Sequence, residues 1–274
     1  MLVAQISDLH IRPHGQLAYG VSETNVFAEH AINALLRLRP APDLVLVTGD
    51  VTDCGLEEEY AIATGLFARL PMPVYCVPGN HDRREAMRAA FSAAGYMPEA
   101  GELNFVVETR PLRLIGLDSL VPGESFGALS DATLGFLAKA LASAPDVPTL
   151  VMLHHPPFRC GIGHMDRVRL LGGVDRLGAI IAAHPQVERI LCGHHHRAIQ
   201  HRFAETLCQV APSVAHQVDL DLRDEAPSNF VLEPPAFLLH AWIEREGLVT
   251  HTSQVDRSPG PFPFILPDDY PGRK

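Results

Sequence analysis

No run of eighteen or more uncharged apolar residues occurs in this chain of 274 residues, so no membrane-spanning helix and no membrane partner are expected. The opening segment, MLVAQISDLH, lacks a basic stretch and has strand character from its second residue, so no secretory signal is expected either. The five cysteines, Cys54, Cys76, Cys160, Cys192 and Cys208, form no C-x-x-C pair. Nothing in their spacing points to a thiolate metal site. Three of them sit in or beside apolar runs, which predicts reduced, mostly buried thiols in a cytoplasmic protein. A basic stripe is missing too. The formal net charge is −10, which argues against long nucleic acid as a partner. Internal repeats and low-complexity segments are also absent.

What is present is enough apolar residue, 47% of the chain, for one substantial core, and predicts one large domain with an appendage. Short apolar runs at 2–6, 43–47, 73–77, 112–117, 149–153 and 189–192 read as strands buried on both faces. Helical patterns lie between them at about 24–38, 57–69, 83–93, 131–143 and 174–184. Ser130 is a candidate N-cap, and Glu57, Glu58 and Glu59 put negative charge in a first turn. The alternation predicts an α/β fold with a largely parallel sheet. The expected division is a core over 1–200, a mainly β extension over 201–257, and a proline-rich tail over 258–274 with no regular element. The extension either adds strands to a second sheet or forms a small cap or dimerisation segment. Phe262, Phe264 and Tyr270 leave docking on a neighbouring subunit as a second reading of the tail, and a homo-oligomer, dimer or higher, is expected.

Five of the six expected strands end in residues that carry chemistry: SDLH, TGDVTDCG, PGNHDR, HHPP and GHHH. In open α/β folds, ligand sites form beyond the carboxyl ends of strands. Asp8 and His10 form a D-x-H pair whose side chains share one side of an extended chain. Asp50 has two oxygens that can serve two cations, Asn80 offers a neutral carbonyl oxygen, and His154 ends a strand. In the triple histidine, His194 and His196 share a side and His195 points away. Each motif alone has an ordinary explanation as a turn, a cap or a solvated loop. Jointly, mixed oxygen and nitrogen donors suit two divalent or trivalent ions such as Fe, Mn, Zn or Co, with iron and manganese favoured.

In this order, D-x-H, GD, GNHD, HHPP and GHxH resemble the calcineurin-like metallophosphoesterases over roughly residues 1–200. The bacterial cyclic-nucleotide phosphodiesterases and the dinuclear-metal glycerophosphodiesterase are the branches most similar. The resemblance implies a four-layer α/β/β/α sandwich. It implies one metal held by Asp8, His10, Asp50 and His196, and a second held by Asp50, Asn80, His154 and His194. His81 matches the family histidine that contacts substrate phosphate, with Asp50 and Asn80 as further catalytic candidates. SVAHQV resembles a stretch near the glycerophosphodiesterase site, making His216 a substrate-binding candidate against a solvent-facing strand histidine. Tyr19, Arg12 and Asn25 lie in the polar loop after the first strand. Tyr19 is a substrate-binding candidate, while a solvated loop accounts for Arg12. Asp82 is either a helix N-cap or a partner that orients a histidine, and His155 is expected to face away.

Two cations about 3.5–4 Å apart activate a bridging hydroxide and clamp the attacking and leaving oxygens of an in-line displacement. The implied reaction is hydrolysis of a small phosphodiester, a cyclic nucleotide or a glycerophosphodiester. A phosphomonoesterase of the same superfamily is the alternative, and a catalytically silent binding scaffold a weaker one. GDVTDCG and GNHD stand where a protein serine/threonine phosphatase would show GDxVDRG and GNHE. The acidic chain disfavours a DNA-repair nuclease, and no basic, apolar helical insertion suggests a lipid A precursor hydrolase.

Overall fold

In a computed structural model, which describes residues 1–265 and 270–271, the apolar runs assemble into two sheets. The first has the order β15 (Gly247–Gln254), β14 (Ala236–Ile243), β1 (Leu2–Ile6), β2 (Leu44–Val47) and β3 (Val74–Cys76). β1, β2 and β3 are parallel, and β14 runs antiparallel to β1 with Leu2 opposite Ala241. The second has the order β10 (Ile199–Phe203), β11 (Thr206–Val210), β9 (Val187–Cys192), β7 (Thr149–Met152), β5 (Arg113–Gly116) and β4 (Phe105–Val107). Its four central strands are parallel and its two edges antiparallel. Two ribbons are added, β6 (Gly127–Ala128) with β8 (Leu170–Gly172), and β12 (Gln217–Val218) with β13 (Phe230–Val231).

The period of two along each strand divides the apolar residues between two cores. Val3, Leu44, Leu46, Leu114, Leu150, Met152 and Leu191 fill the space between the sheets. Their neighbours Ala4, Ile6, Val45 and Val47 turn outward against α1 (Thr24–Arg37), α2 (Glu57–Phe67) and α3 (Arg84–Ala90). On the other side Ile115, Val151 and Ile190 meet α4 (Asp131–Ala142) and α6 (Val174–Ala182) through Leu137, Leu141, Leu177 and Ile181. The result is a four-layer α/β/β/α sandwich, and strands with both faces covered explain the unbroken apolar runs. Ser130 caps α4 by accepting from Thr133 N–H at 3.0 Å, a contact worth about 1 kcal/mol.

Beyond residue 200 the chain serves both sheets, β10 and β11 extending the second while β14 and β15 extend the first. Between them in the chain, β12 and β13 pair with each other, Gln217 opposite Val231. A short helix, α5 (Gly163–Val168), was not expected, because six residues are too few to display a helical period. No helix of the described residues is long and apolar enough to cross a membrane. Phe262 and Phe264 in the irregular tail are exposed. The rest of that tail, 266–269 and 272–274, lies outside the described residues.

Candidate metal centre and substrate cavity

The turns after β1, β2, β3, β7 and β9 bring side chains from both sheets together. Asp8, His10, Asp50, His194 and His196 occupy the left-handed backbone region, with φ of 55°, 47°, 48°, 69° and 53°. Each such residue costs about 1–2 kcal/mol, and strain of this kind persists only where the surroundings over-determine it. The expectation of extended chain at D-x-H and H-x-H is therefore corrected: left-handed kinks, not strand alternation, aim these side chains. Two glycines let the turns close up. A Cβ on Gly193 would lie 2.1 Å from Ser7 Oγ, and one on Gly79 would lie 2.1 Å from Asp50 Oδ1.

Asp8, His10, Asp50 and His196 form one buried cluster of donor atoms. His10 Nε2 lies 3.1 Å from His196 Nε2 and 3.7 Å from Asp50 Oδ2, and His196 Nε2 lies 3.4 Å from Asp8 Oδ1. On the other side of Asp50, His154 Nε2 lies 3.3 Å from Asp50 Oδ2 and 3.2 Å from Asn80 Oδ1. The His194 ring centre is 5.0 Å from that of His154.

Hydrogen bonding on the far side of each ring decides what these atoms can do. His10 Nδ1 donates to Asp53 Oδ1 at 3.2 Å, His154 Nδ1 to the Thr48 carbonyl at 2.7 Å, and His196 Nδ1 to the His216 carbonyl at 2.8 Å. Those partners only accept, so Nδ1 carries a proton, and a ring that is otherwise neutral presents a lone pair at Nε2. The Nε2 lone pairs of His10 and His196 then face each other, and that of His154 faces two acceptor oxygens. Acceptors that converge in this way call for a cation among them, either a metal ion or a proton on Nε2, toward which, against burial, the carboxylates raise His10 and His154. Metal–ligand bonds of about 2.0–2.2 Å place neighbouring donors roughly 3–3.5 Å apart, the spacing found here. His194 Nε2, buried, has no hydrogen-bond partner among the described residues. The donor set fits a pair of divalent cations.

Electrostatics agree. Burial pushes His196 down to about 3 and His194 well below the ordinary imidazole range, which keeps both neutral, the state that ligates. Burial would lower His154 too, but the Asp50 charge and hydrogen bond, with Asp8 behind them, raise it to about 9. The carboxylates thus call for positive charge at His154 Nε2. Burial lifts Asp8 to about 6, whereas for Asp50 the histidines around it outweigh burial and hold it well below the carboxylate range.

A cavity of about 530 Å³ opens above this cluster. His10, Asp50, Asn80, His81, His194 and His196 line it, as do Tyr19, His216 and Phe230. The last three rings lie 5.0–5.5 Å apart and form an aromatic wall. His216 is 2% exposed and outside any strand, with its ring 4.9 Å from that of His196, so the solvent-facing alternative is excluded. His81 is held at both ends: its N–H donates to Asp50 Oδ1 at 2.9 Å, and its Nδ1 lies 2.6 Å from the Asp53 carbonyl.

Other expectations change. His155 does not face away from the cluster; its ring is 4.6 Å from that of His194, with Nδ1 on Ser119 Oγ at 2.8 Å. His195 is buried against Phe158. Asp82 caps no helix and touches no histidine, because α3 begins after Arg83 and the Asp82 carboxylate is taken up by the turns at 51–52 and 79. Asn25 braces the backbone of Arg12, and Arg12 pairs with Glu59 and Asp53, which keeps both out of the cavity lining.

Sequence reasoning assigned no role to Asp53, although it stands three residues after Asp50 in TGDVTDCG. Burial would raise its carboxyl, but the His10 hydrogen bond and the charges of His10, His81 and Arg12 lower it, so it stays ionised. Asp53→Asn is expected to weaken metal binding or activity about 10–100-fold, the usual effect of losing a carboxylate that orients a ligand histidine. Competition with a metallochromic chelator measures it, and unchanged affinity would mean that the backbone alone orients His10.

Comparison with known proteins adds a lineage to this geometry. A family profile described as calcineurin-like phosphoesterase matches residues 1–198. A protein of Arcobacter nitrofigilis, named "Probable glycerophosphodiester phosphodiesterase GpdQ", is 41% identical over 264 residues, covering 96% of this chain and 97% of its own. A 3′,5′-cyclic-nucleotide phosphodiesterase of Nostoc is 31% identical over 267 residues, covering 96% and 94%. Among solved structures, a dimetal phosphatase from Danio rerio superposes with a TM-score of 0.66 at 13% identity, covering 93% of this chain and 99% of its own. That last likeness is one of fold.

Proposed function

The chain belongs to the calcineurin-like phosphoesterase family, and from that premise we propose that it hydrolyses small phosphodiesters, cyclic nucleotides or glycerophosphodiesters, with a pair of divalent cations. The observation that carries the reading is Asp50, whose Oδ2 faces His154 Nε2 at 3.3 Å and His10 Nε2 at 3.7 Å, so that one carboxylate serves two clusters. Asp8, His10 and His196 complete the first cation site; Asn80, His154 and His194 complete the second. Ions held there supply an activated water at neutral pH and neutralise charge on the phosphoryl oxygens.

The rest of the work falls to the chain itself. His81 donates Nδ1–H to the Asp53 carbonyl, which turns Nε2 toward the cavity. As an imidazolium it presents N–H at Nε2 to a phosphoryl oxygen or to the departing alkoxide; as a neutral ring it accepts there. Its own backbone N–H on Asp50 Oδ1 fixes the bridging carboxylate in the same stroke. Tyr19, His216 and Phe230, their rings inclined at 38–87° to one another, offer an aromatic wall to the alcohol half of the substrate. A cavity of about 530 Å³ suits a small molecule.

The test is elemental analysis of protein purified without chelator, combined with turnover of bis(p-nitrophenyl) phosphate. About two metal equivalents and metal-dependent turnover are expected. Neither metal nor turnover would end the enzyme reading. In the same assays Asn80→Ala is expected to lower the stoichiometry by about one equivalent and turnover by roughly 10²-fold. Full stoichiometry and full turnover in that variant would remove Asn80 from the second site.

A further inference from the structure

The wall of the cavity made by α5 has no part in the reaction outlined above. It contributes His164, Met165, Arg167 and Val168. Arg167 is the sole guanidinium or ammonium lining the cavity among the described residues, in a chain of net charge −10. The arginines around it are spoken for: Arg159 pairs with Asp166 at 3.3 Å, Arg169 donates to the Asp166 carbonyl at 2.6 Å, and Arg197 pairs with Glu233 at 3.1 Å. Arg167 makes no ion pair and no side-chain hydrogen bond among the described residues. One turn before it, His164 has a buried Nδ1 without a partner. Burial, then Arg167, holds His164 below the ordinary imidazole range, so it adds a neutral polar group and not a second charge. Of the nearby carboxylates, Asp221 is bound to Arg223, and neither Asp219 nor Asp224 lines the cavity.

Arg167 is solvent-exposed at the rim of the cavity, and an arginine there without an ion pair offers a fork for a planar anion. The phosphoryl group under attack belongs among the histidines and aspartates at the floor, so Arg167 addresses something else in the substrate. We propose that Arg167, with His164 beside it, is the specificity-determining group of the cavity: it receives a second anionic group, a carboxylate or phosphate, on the alcohol half of the diester and discriminates against cationic alcohols. This rests on the phosphodiesterase reading.

The test uses p-nitrophenyl phosphodiesters that differ only in the second alcohol: choline, propane-1,3-diol, 3-hydroxypropionate and glycerol 3-phosphate. The metal-loaded protein is expected to show kcat/KM rising from cationic to neutral to anionic, and the last two arms distinguish carboxylate from phosphate. Arg167→Ala is expected to cut the anionic-to-cationic ratio roughly five- to tenfold, and Arg167→Glu to invert it. Arg167→Lys retains the order, as does Arg176→Ala, whose side chain pairs with Asp131 outside the cavity. Kd values of the matching methylphosphonates, by calorimetry, should follow the same ranking without turnover. A ratio identical in wild type and Arg167→Glu overturns the inference alone. If wild type also fails to cleave bis(p-nitrophenyl) phosphate, the proposed function falls and takes this inference with it.

Discussion

Asp50→Asn is expected to lower kcat/KM for bis(p-nitrophenyl) phosphate by roughly three orders of magnitude and to reduce bound metal to one equivalent or less. The substitution preserves shape, so its effect isolates charge. Asp50 stands between His154 and His10, and its Oδ1 is already taken by the His81 N–H, leaving Oδ2 to face both clusters. An amide there either turns an N–H toward His10 and His154 or leaves a neutral oxygen where a pair of cations would need a shared anion. Elemental analysis and initial rates check both parts. A variant with full metal content and activity within tenfold of wild type would show that Asp50 bridges nothing. Circular dichroism separates this from misfolding, since the backbone N–H groups of Val51, Thr52 and Gly79 are held by Asp82, and Asp50 takes only that of His81.

Asp82→Ala is expected to be the most damaging substitution outside the donor set, costing about 3–5 kcal/mol of stability. Its carboxylate is fully buried and accepts from five donors: the backbone N–H groups of Val51, Thr52 and Gly79, the Thr52 hydroxyl and the Tyr60 hydroxyl, at 2.9–3.2 Å. Removing it strands those donors in the core, where each lost partner is costly. Because the carboxylate ties the turn that carries Asp50 to the turn that carries Asn80, retention of the second metal should fall as well. Urea denaturation measures the first effect and elemental analysis the second. A midpoint unchanged from wild type would mean that the turns are held by other contacts.

Much of the sandwich was legible because its strands are covered on both faces, which turns a strand such as LVLV (Leu44–Val47) into an unbroken apolar word. The pieces that were not legible are those whose placement depends on partners far along the chain. β4, β6 and α5 are two to six residues long and carry no period of their own. The division of the chain after residue 200 between two sheets depends on which edge is open, β1 or β9, and no local pattern encodes that. At the site, residue types and order were informative, but the left-handed φ of Asp8, His10, Asp50, His194 and His196 was not, since nothing in these residue types demands it. Asp53 was missed, and Asp82 was given the wrong partners, for a related reason. Their work consists of hydrogen bonds to His10 and to neighbouring turns, and an aspartate in a turn looks the same in sequence whether or not it does this.

The pairing of Leu2 with Ala241 bears on how the chain comes to be folded at all. β1 precedes β2 and β3 in synthesis and can join them early, yet its other edge stays open until β14 (Ala236–Ile243) has been released. Long-range pairing of this kind is slow to form, and an unpaired strand edge invites association with other chains in the meantime. The turn that carries Asp8 and His10 is completed just as late, because Ser7 and Asp8 receive backbone and hydroxyl hydrogen bonds from Val214 and Ser213. A nascent chain stalled before residue 213 therefore holds Asp8 and His10 without the segment that fixes their turn, and competence for metal waits for Ser213 and Val214.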